Sequence, residues 1–287
     1  MKISKLFAIL FTGTILVSCS SSMHSASGFG SVYSNADDCN CGSSNKNSSK
    51  LMKEFDVKPF NGISASSRIK IHYTQADTRS VFIETDEETM KRLEVKTVSG
   101  RLTLRLKQCK VGMLWIHCIN DNSNDIVAYI SAPELNEVDL SGHASLNAPE
   151  FSNTSNFNFS GSGVSGLNID KMTLNNAMFN CSGGSSVISQ VIKAGNAKFN
   201  MSGGAHSNVE QINAPELNFN ISGGSWAEIK LNSDNVNINA SGGATFKAQG
   251  KTTAININCS GGSNANLKGL SYSNSSFSSS GGGSITK

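Results

Sequence analysis

The sequence predicts an all-β chain wound as a right-handed parallel β-helix, or β-solenoid, with about 20 residues per repeat and an N-terminal β-rich cap. Three observations carry that expectation. Ser-Gly dipeptides recur at Ser141, Ser160, Ser182, Ser202, Ser222, Ser241, Ser260 and Ser280, in steps of 19, 22, 20, 20, 19, 19 and 20 residues. An alternating triplet precedes most of them, as in Phe179-Asn180-Cys181, Phe199-Asn200-Met201 and Phe219-Asn220-Ile221, with its first and third side chains on one face of a strand. In six of the eight units a second glycine follows the first, as at Gly183-Gly184, where the backbone can turn a corner cheaply. The expected right hand is the usual chirality of parallel crossovers.

Taken in chain order, the first segment sets the compartment. Lys2 and Lys5 precede a short apolar stretch that closes on Leu16-Val17-Ser18-Cys19. The run is too short to span a bilayer and reads as a signal peptide over residues 1–18. Its ending resembles the lipobox of bacterial lipoproteins, which implies lipid modification of Cys19, a membrane anchor there, and a place in the cell envelope as an outer membrane lipoprotein. Residues 19–53 are rich in Ser, Asn and Gly and too poor in large apolar side chains to fold, so they read as a flexible tether.

Residues 54–125 lack the repeat but keep strand patterns, at Ile69-Lys70-Ile71-His72-Tyr73, Val81-Phe82-Ile83 and Leu102-Thr103-Leu104-Arg105-Leu106, with a short helix expected at Glu87 to Arg92. All the Arg residues lie here. This region is expected to cap the solenoid, whose open strand edge would otherwise recruit other chains. Residues 126–287 then form the coils. Each holds two or three short strands joined by tight bends, since Asn, Ser and Gly at this density disfavour helix interiors. Phe157, Phe179, Phe199, Phe219, Ile238, Ile257 and Phe277 are expected to share one internal column, with an outward column of Asn beside it.

The opening Phe60-Asn61-Gly62-Ile63, the Ser131-Ala132-Pro133-Glu134-Leu135 that leads to Val138-Asp139-Leu140-Ser141-Gly142, and the serial S-G-G units together resemble a family called putative auto-transporter adhesin, head GIN domain. The resemblance runs from about residue 55 to the C-terminus. It implies a β-helical, secreted or lipid-anchored protein of Bacteroidetes-type bacteria. It transfers no catalytic residue.

Chemistry is excluded more readily than it is found. A net charge of +3 on 287 residues, with no Arg beyond Arg105 and no basic cluster with interleaved aromatics, argues against nucleic acid. Cys181 and Cys259 take the inward position of the repeat, four coils or about 19 Å apart, too far to bridge, and read as small core residues. Cys109 and Cys118 flank a loop in a compartment that permits disulfides, and a bridge between them is expected. Cys39 and Cys41 with that pair match no standard zinc spacing, so neither metal nor cofactor is expected. The carboxylates from Ser141 onward, Glu150, Asp170, Glu210, Glu216, Glu228 and Asp234, stand singly in their coils, and Glu210 and Glu228 occupy similar phases, eight and six residues after their Ser. The expectation is therefore a noncatalytic binding module that presents a polar face to a glycan, matrix, surface-protein or envelope partner. A β-helix polysaccharide lyase or hydrolase is the alternative, and it would need two carboxylates to meet across roughly 5–9.5 Å.

Overall fold

The computed structural model describes residues 49–107, 109–111, 114–116 and 126–287. They belong to two compact units. Of residues 1–43 with 108–122, the described part is an antiparallel hairpin, Cys109–Val111 against Leu114–Ile116. Of residues 44–107 with 123–287, the described part, 49–107 and 126–287, forms a β-solenoid of parallel, stacked coils. Cys19, Cys39, Cys41 and Cys118 lie outside the described residues, and with them the lipidation site and one end of the expected disulfide.

One coil shows how the pattern winds. Along Gly166–Cys181 alternate side chains are buried, but the alternation slips at Asp170-Lys171 and again at Asn175-Asn176. Each slip is a bend, because two successive outward residues can occur only where the strand turns. Leu167 and Ile169, Met172 and Leu174, and Ala177, Phe179 and Cys181 therefore point inward from three short faces. The third corner is the S-G-G turn. There Ser185 N–H donates to the Ser182 carbonyl across Gly183, whose φ is 65°, and positive φ at this one central residue is the pattern of a type II′ turn.

Successive coils pair in register, so Phe159, Phe179, Phe199, Phe219, Ile238, Ile257 and Phe277 form the internal column. The rings of Phe179, Phe199 and Phe219 are fully buried and stack at 4.5 and 4.6 Å between centroids. The head of the column is Phe159 and not Phe157, which is registered with Ala177. The cause is the tandem Ser160-Gly161-Ser162-Gly163. Gly163, at φ 70°, makes the turn, while Gly161 stays in the strand at the inward position beside Cys181. A side chain on Gly161 would meet the Phe159 ring at 2.8 Å. The turn spacing is thus more regular than the first Ser-Gly of the tandem suggests.

The parallel stack also reaches upstream of residue 126. Gly62–Ala65 lies between Arg101–Leu106 and Glu137–Leu140, and Ile69–Gln75 lies between Ile126–Ala132 and the start of Ser145–Gly161, all in parallel. Ser66-Ser67 joins the first pair of these strands where later coils have Ser-Gly, and Ser67 takes φ 70°. The chain thus lays down this coil first. It then descends through the antiparallel strands Ser80–Thr85 and Leu93–Val98, and returns beneath it before passing upward into the repeats. Leu51–Glu54 closes the edge of Ser80–Thr85. The helix Glu87–Arg92 starts at Asp86, whose carboxylate accepts from Thr89 N–H at 2.9 Å, the N-cap bond expected of an Asp.

Candidate functional site

The outward residues next to the turn make the most continuous feature of the surface. Asn180, Asn200, Asn220, Asn239 and Asn258 are registered coil upon coil, one residue outward of the Phe column. Each Nδ2 donates to the Oδ1 of the Asn below, at 2.8, 2.9, 3.1 and 3.1 Å up the ladder. Two residues along each coil, Ser182, Ser202, Ser222, Ser241 and Ser260 form a second column. Between the columns runs an open groove of about 760 Å³, continued at one end by Ser160, Asp139 and Ser64. Those three are the register partners of the Asn column, so the groove crosses the strands along the solenoid axis.

The end of the groove at Asp139 is the one charged place in its lining. Arg101 bonds Asp139 at 2.9 Å and also pairs with Glu137. Arg101, Gly62 and Glu137 are register partners in three successive coils, so the guanidinium must cross a whole coil to reach its acid. The guanidinium passes close over Gly62, where a Cβ would lie in ordinary contact, 3.5 Å from Glu137 Cβ and 3.6 Å from Arg101 Cγ. Burial raises the Asp139 carboxyl above its ordinary range, against the pull of Arg101.

Beside the groove the turns themselves stack. Ser67, Gly142, Gly163, Gly183, Gly203, Gly223, Gly242, Gly261 and Gly281 all have φ between 64° and 72°. A Cβ on Gly203 would stand 3.0 Å from the backbone nitrogen of Gly183, so this position is closed to a side chain twice over. The second glycine differs. Gly184, Gly204, Gly224, Gly243 and Gly262 have ordinary φ, and a Cβ there would meet nothing nearer than 3.5 Å. His143 and Val164 already occupy the equivalent place in earlier turns.

The remaining candidates are not assembled into a site. Glu228 is registered with Asn208 and Lys247 and forms an ion pair with Lys247. Glu210 lies two residues beyond Asn208, at a register shift, so stacking does not set it against Glu228. Glu150 faces Lys171, and Glu216 lies between Asn196 and Asn235. Among the described residues no three His, Cys, Asp or Glu side chains gather as a metal site. Cys181 and Cys259 are buried and free, and burial pushes the Cys181 thiol up to about 11. The sequence reading passed over Ser67 and the Arg101 clamp. Ile63-Ser64-Ala65-Ser66-Ser67 does carry the repeat's alternation, with Ser in place of Gly, but nothing in the sequence places Arg101 beside Glu137.

A model of the family described as "Putative auto-transporter adhesin, head GIN domain" matches residues 59–230 and again 196–286. The chain belongs to this family. The overlap of the two matches reflects the repeats, since a head GIN model can be laid on the coils in more than one frame. Among solved structures, a "putative adhesin" from Parabacteroides distasonis ATCC 8503 has a TM-score of 0.71 at 15% identity, covering 83% of this chain and 98% of that one. Another "putative adhesin", from Parabacteroides merdae ATCC 43184, has a TM-score of 0.65 at 18% identity, covering 84% and 98%. A "Putative lipid binding protein" from Parabacteroides distasonis ATCC 8503 gives 0.61 at 17% identity, covering 84% and 98%. At these identities the likeness is one of fold. No curated protein gives a significant match.

Proposed function

We propose that this head GIN protein is a noncatalytic binding module of the cell envelope, tethered through a lipid on Cys19 and presenting its solenoid to a glycan, matrix or surface-protein partner. The observation that carries the reading is the uncharged Asn and Ser face repeated through the coils, and among the described residues no carboxylate is the register partner of another. Hydrolysis or elimination on a polysaccharide requires an acid and base, or a base beside a cation, on one side of the chain. In the repeats and the groove Glu228 pairs with Lys247, and Glu137 and Asp139 both pair with Arg101, so these bases are bound to the cations beside them. The names of the two adhesins of similar fold agree with a binding role. The lipid-binding name of the third neighbour is not carried over, because the apolar side chains along this groove, Cys181, Met201 and Ile221 among them, are buried in the core and offer no open apolar cavity to an acyl chain.

Two arms test this. Cells displaying the wild-type protein are expected to adhere to host and bacterial surfaces, and Cys19→Ser is expected to move the protein from the membrane to the soluble fraction and abolish adhesion. Incubation with pectin, glycosaminoglycans and bacterial glycans is expected to release no reducing ends or unsaturated sugars. Turnover that disappears in Glu210→Gln or Glu228→Gln would establish an enzyme instead.

A further inference from the structure

We propose that the groove between the Asn and Ser columns is a binding site for an uncharged, linear polysaccharide lying along the solenoid axis, which rests on the binding-module reading above and gives it a site and a ligand class. Each interior amide of the ladder, at Asn200, Asn220 and Asn239, donates one N–H to the Asn below and accepts one bond from the Asn above. A primary amide has two donors and two lone pairs, so each interior Asn keeps one of each for a ligand. Ser182 and Ser222 donate their hydroxyls to backbone carbonyls and keep acceptor capacity. The groove thus offers a donor and an acceptor at every coil, about every 4.8 Å. The columns lie about 6.6 Å apart, two residues along a strand. Sugar hydroxyls both donate and accept, and a linear polysaccharide repeats them along its length.

The competing polymers fit less well. An extended peptide is usually recognised through its backbone at a free strand edge. The strands under this groove are paired on both sides, so their N–H and C=O groups are already committed. A nucleic acid or acidic glycan needs cations, and from Asn180 to Ser260 the lining has neither cation nor anion. The one charged residue of the lining, Asp139, sits at the end, clamped to Arg101. The second glycines fit the same picture. The backbone does not require them, since His143 and Val164 stand at the same turn position, yet their absence of side chains leaves the turns beside the groove low over five coils.

The test uses the full chain on an array of neutral glucans, mannans and galactans, anionic pectins and glycosaminoglycans, and extended peptides. Ser202→Arg with Ser241→Arg puts two bulky cations into the groove where neither serine has a required bond. Asn208→Arg with Gln211→Arg adds the same charge on exposed positions outside it. Both variants are expected to melt like the wild type. Binding of a neutral polysaccharide that falls at least tenfold in the groove variant and stays unchanged in the control supports the site. Equal binding by all three proteins overturns the groove but leaves the binding module standing. Binding confined to charged polymers or peptides overturns the ligand class. Binding to nothing on the array removes this proposal, and the adhesion arm above then decides the wider reading separately.

Discussion

The N-terminal strands and the S-G-G coils bury the same kind of apolar column in the same kind of parallel stack, yet they assemble it differently. In the array each coil rests on the one before it in sequence, so Phe179, Phe199 and Phe219 meet across 20 residues. At the N-terminal end Gly62–Ala65 waits between strands that lie 39 and 75 residues downstream, at Arg101 and Glu137. Array coils need only a neighbour, whereas the N-terminal coils need particular partners. Uniform residues suffice in the first case, and in the second a buried Tyr73 bonded to the Ala132 carbonyl and an Arg101 reaching over Gly62 tie specific places together.

The strongest way to break that comparison is deletion. Removing residues 186–205 joins Ser185 to His206, and because His206 is the register partner of Ser186 the next coil takes over its place. Stability in such arrays is close to a sum of repeat and interface contributions, so the shortened protein is expected to fold with a modestly lower melting temperature. Removing residues 77–98 instead takes away the antiparallel strands that cover Ile126–Ala132 and Arg101–Leu106. That exposes parallel edges and a core of Ile130 and Leu104, and the protein is expected to aggregate. Circular dichroism with size-exclusion chromatography distinguishes them. Equal behaviour of the two deletions would mean that the regions do not differ in this way.

A finer test separates repetition demanded by the backbone from repetition that is not. Gly203→Ala places a Cβ at φ 72° and 3.0 Å from backbone, and is expected to cost at least about 1–2 kcal/mol from the conformation alone. Gly204→Ala meets ordinary space at ordinary φ, and is expected to be neutral or to stabilise by up to about 1 kcal/mol through the unfolded chain. Denaturant midpoints of the two variants measure the gap. Equal losses would show that the second glycine is structural, and would remove it from the argument for the groove.

The same contrast explains what could be read from the sequence. The array was legible because one local rule repeats: alternation, then a residue free to take positive φ. Even there Ser160-Gly161-Ser162-Gly163 offers two turns, and only the need to seat Phe159 beneath Phe179 selects the second. The helix at Glu87 was visible through its cap and charges, which are also local. The N-terminal coil was not, because Ser67 supplies positive φ without being glycine and its partners lie far along the chain. The groove was half legible. An outward Asn column follows from period-2 alternation, but its amides joining into a ladder beside a Ser column depends on coil-to-coil register.

The smallest expected effect concerns the inward column at the turn, where Gly161, Cys181, Met201, Ile221, Ala240 and Cys259 succeed one another. Burial holds the Cys181 thiol protonated to about pH 11, whereas in the unfolded chain it ionises near its ordinary value. Below that ordinary value the thiol is protonated in both states, so Cys181 adds no pH dependence at pH 7. As pH rises past it, only the unfolded state releases the proton, and the folded state loses stability until pH passes about 11. The loss is expected to be about 1–2 kcal/mol by about pH 10, one pKa unit being worth about 1.4 kcal/mol. Cys181→Ala copies the residue that Ala240 already places in this column, and should weaken the dependence, leaving the part set by the buried Cys259 thiol and Tyr73 phenol, at a small cost in neutral stability from the buried sulfur removed. Urea melts from pH 7 to 10.5 check it, with thiol labelling in parallel: the native protein should leave Cys181 unmodified at pH 8 and expose it only on unfolding. Rapid labelling of the native protein would show that the coil opens locally at this corner, and that the array is looser there than its stacked turns imply.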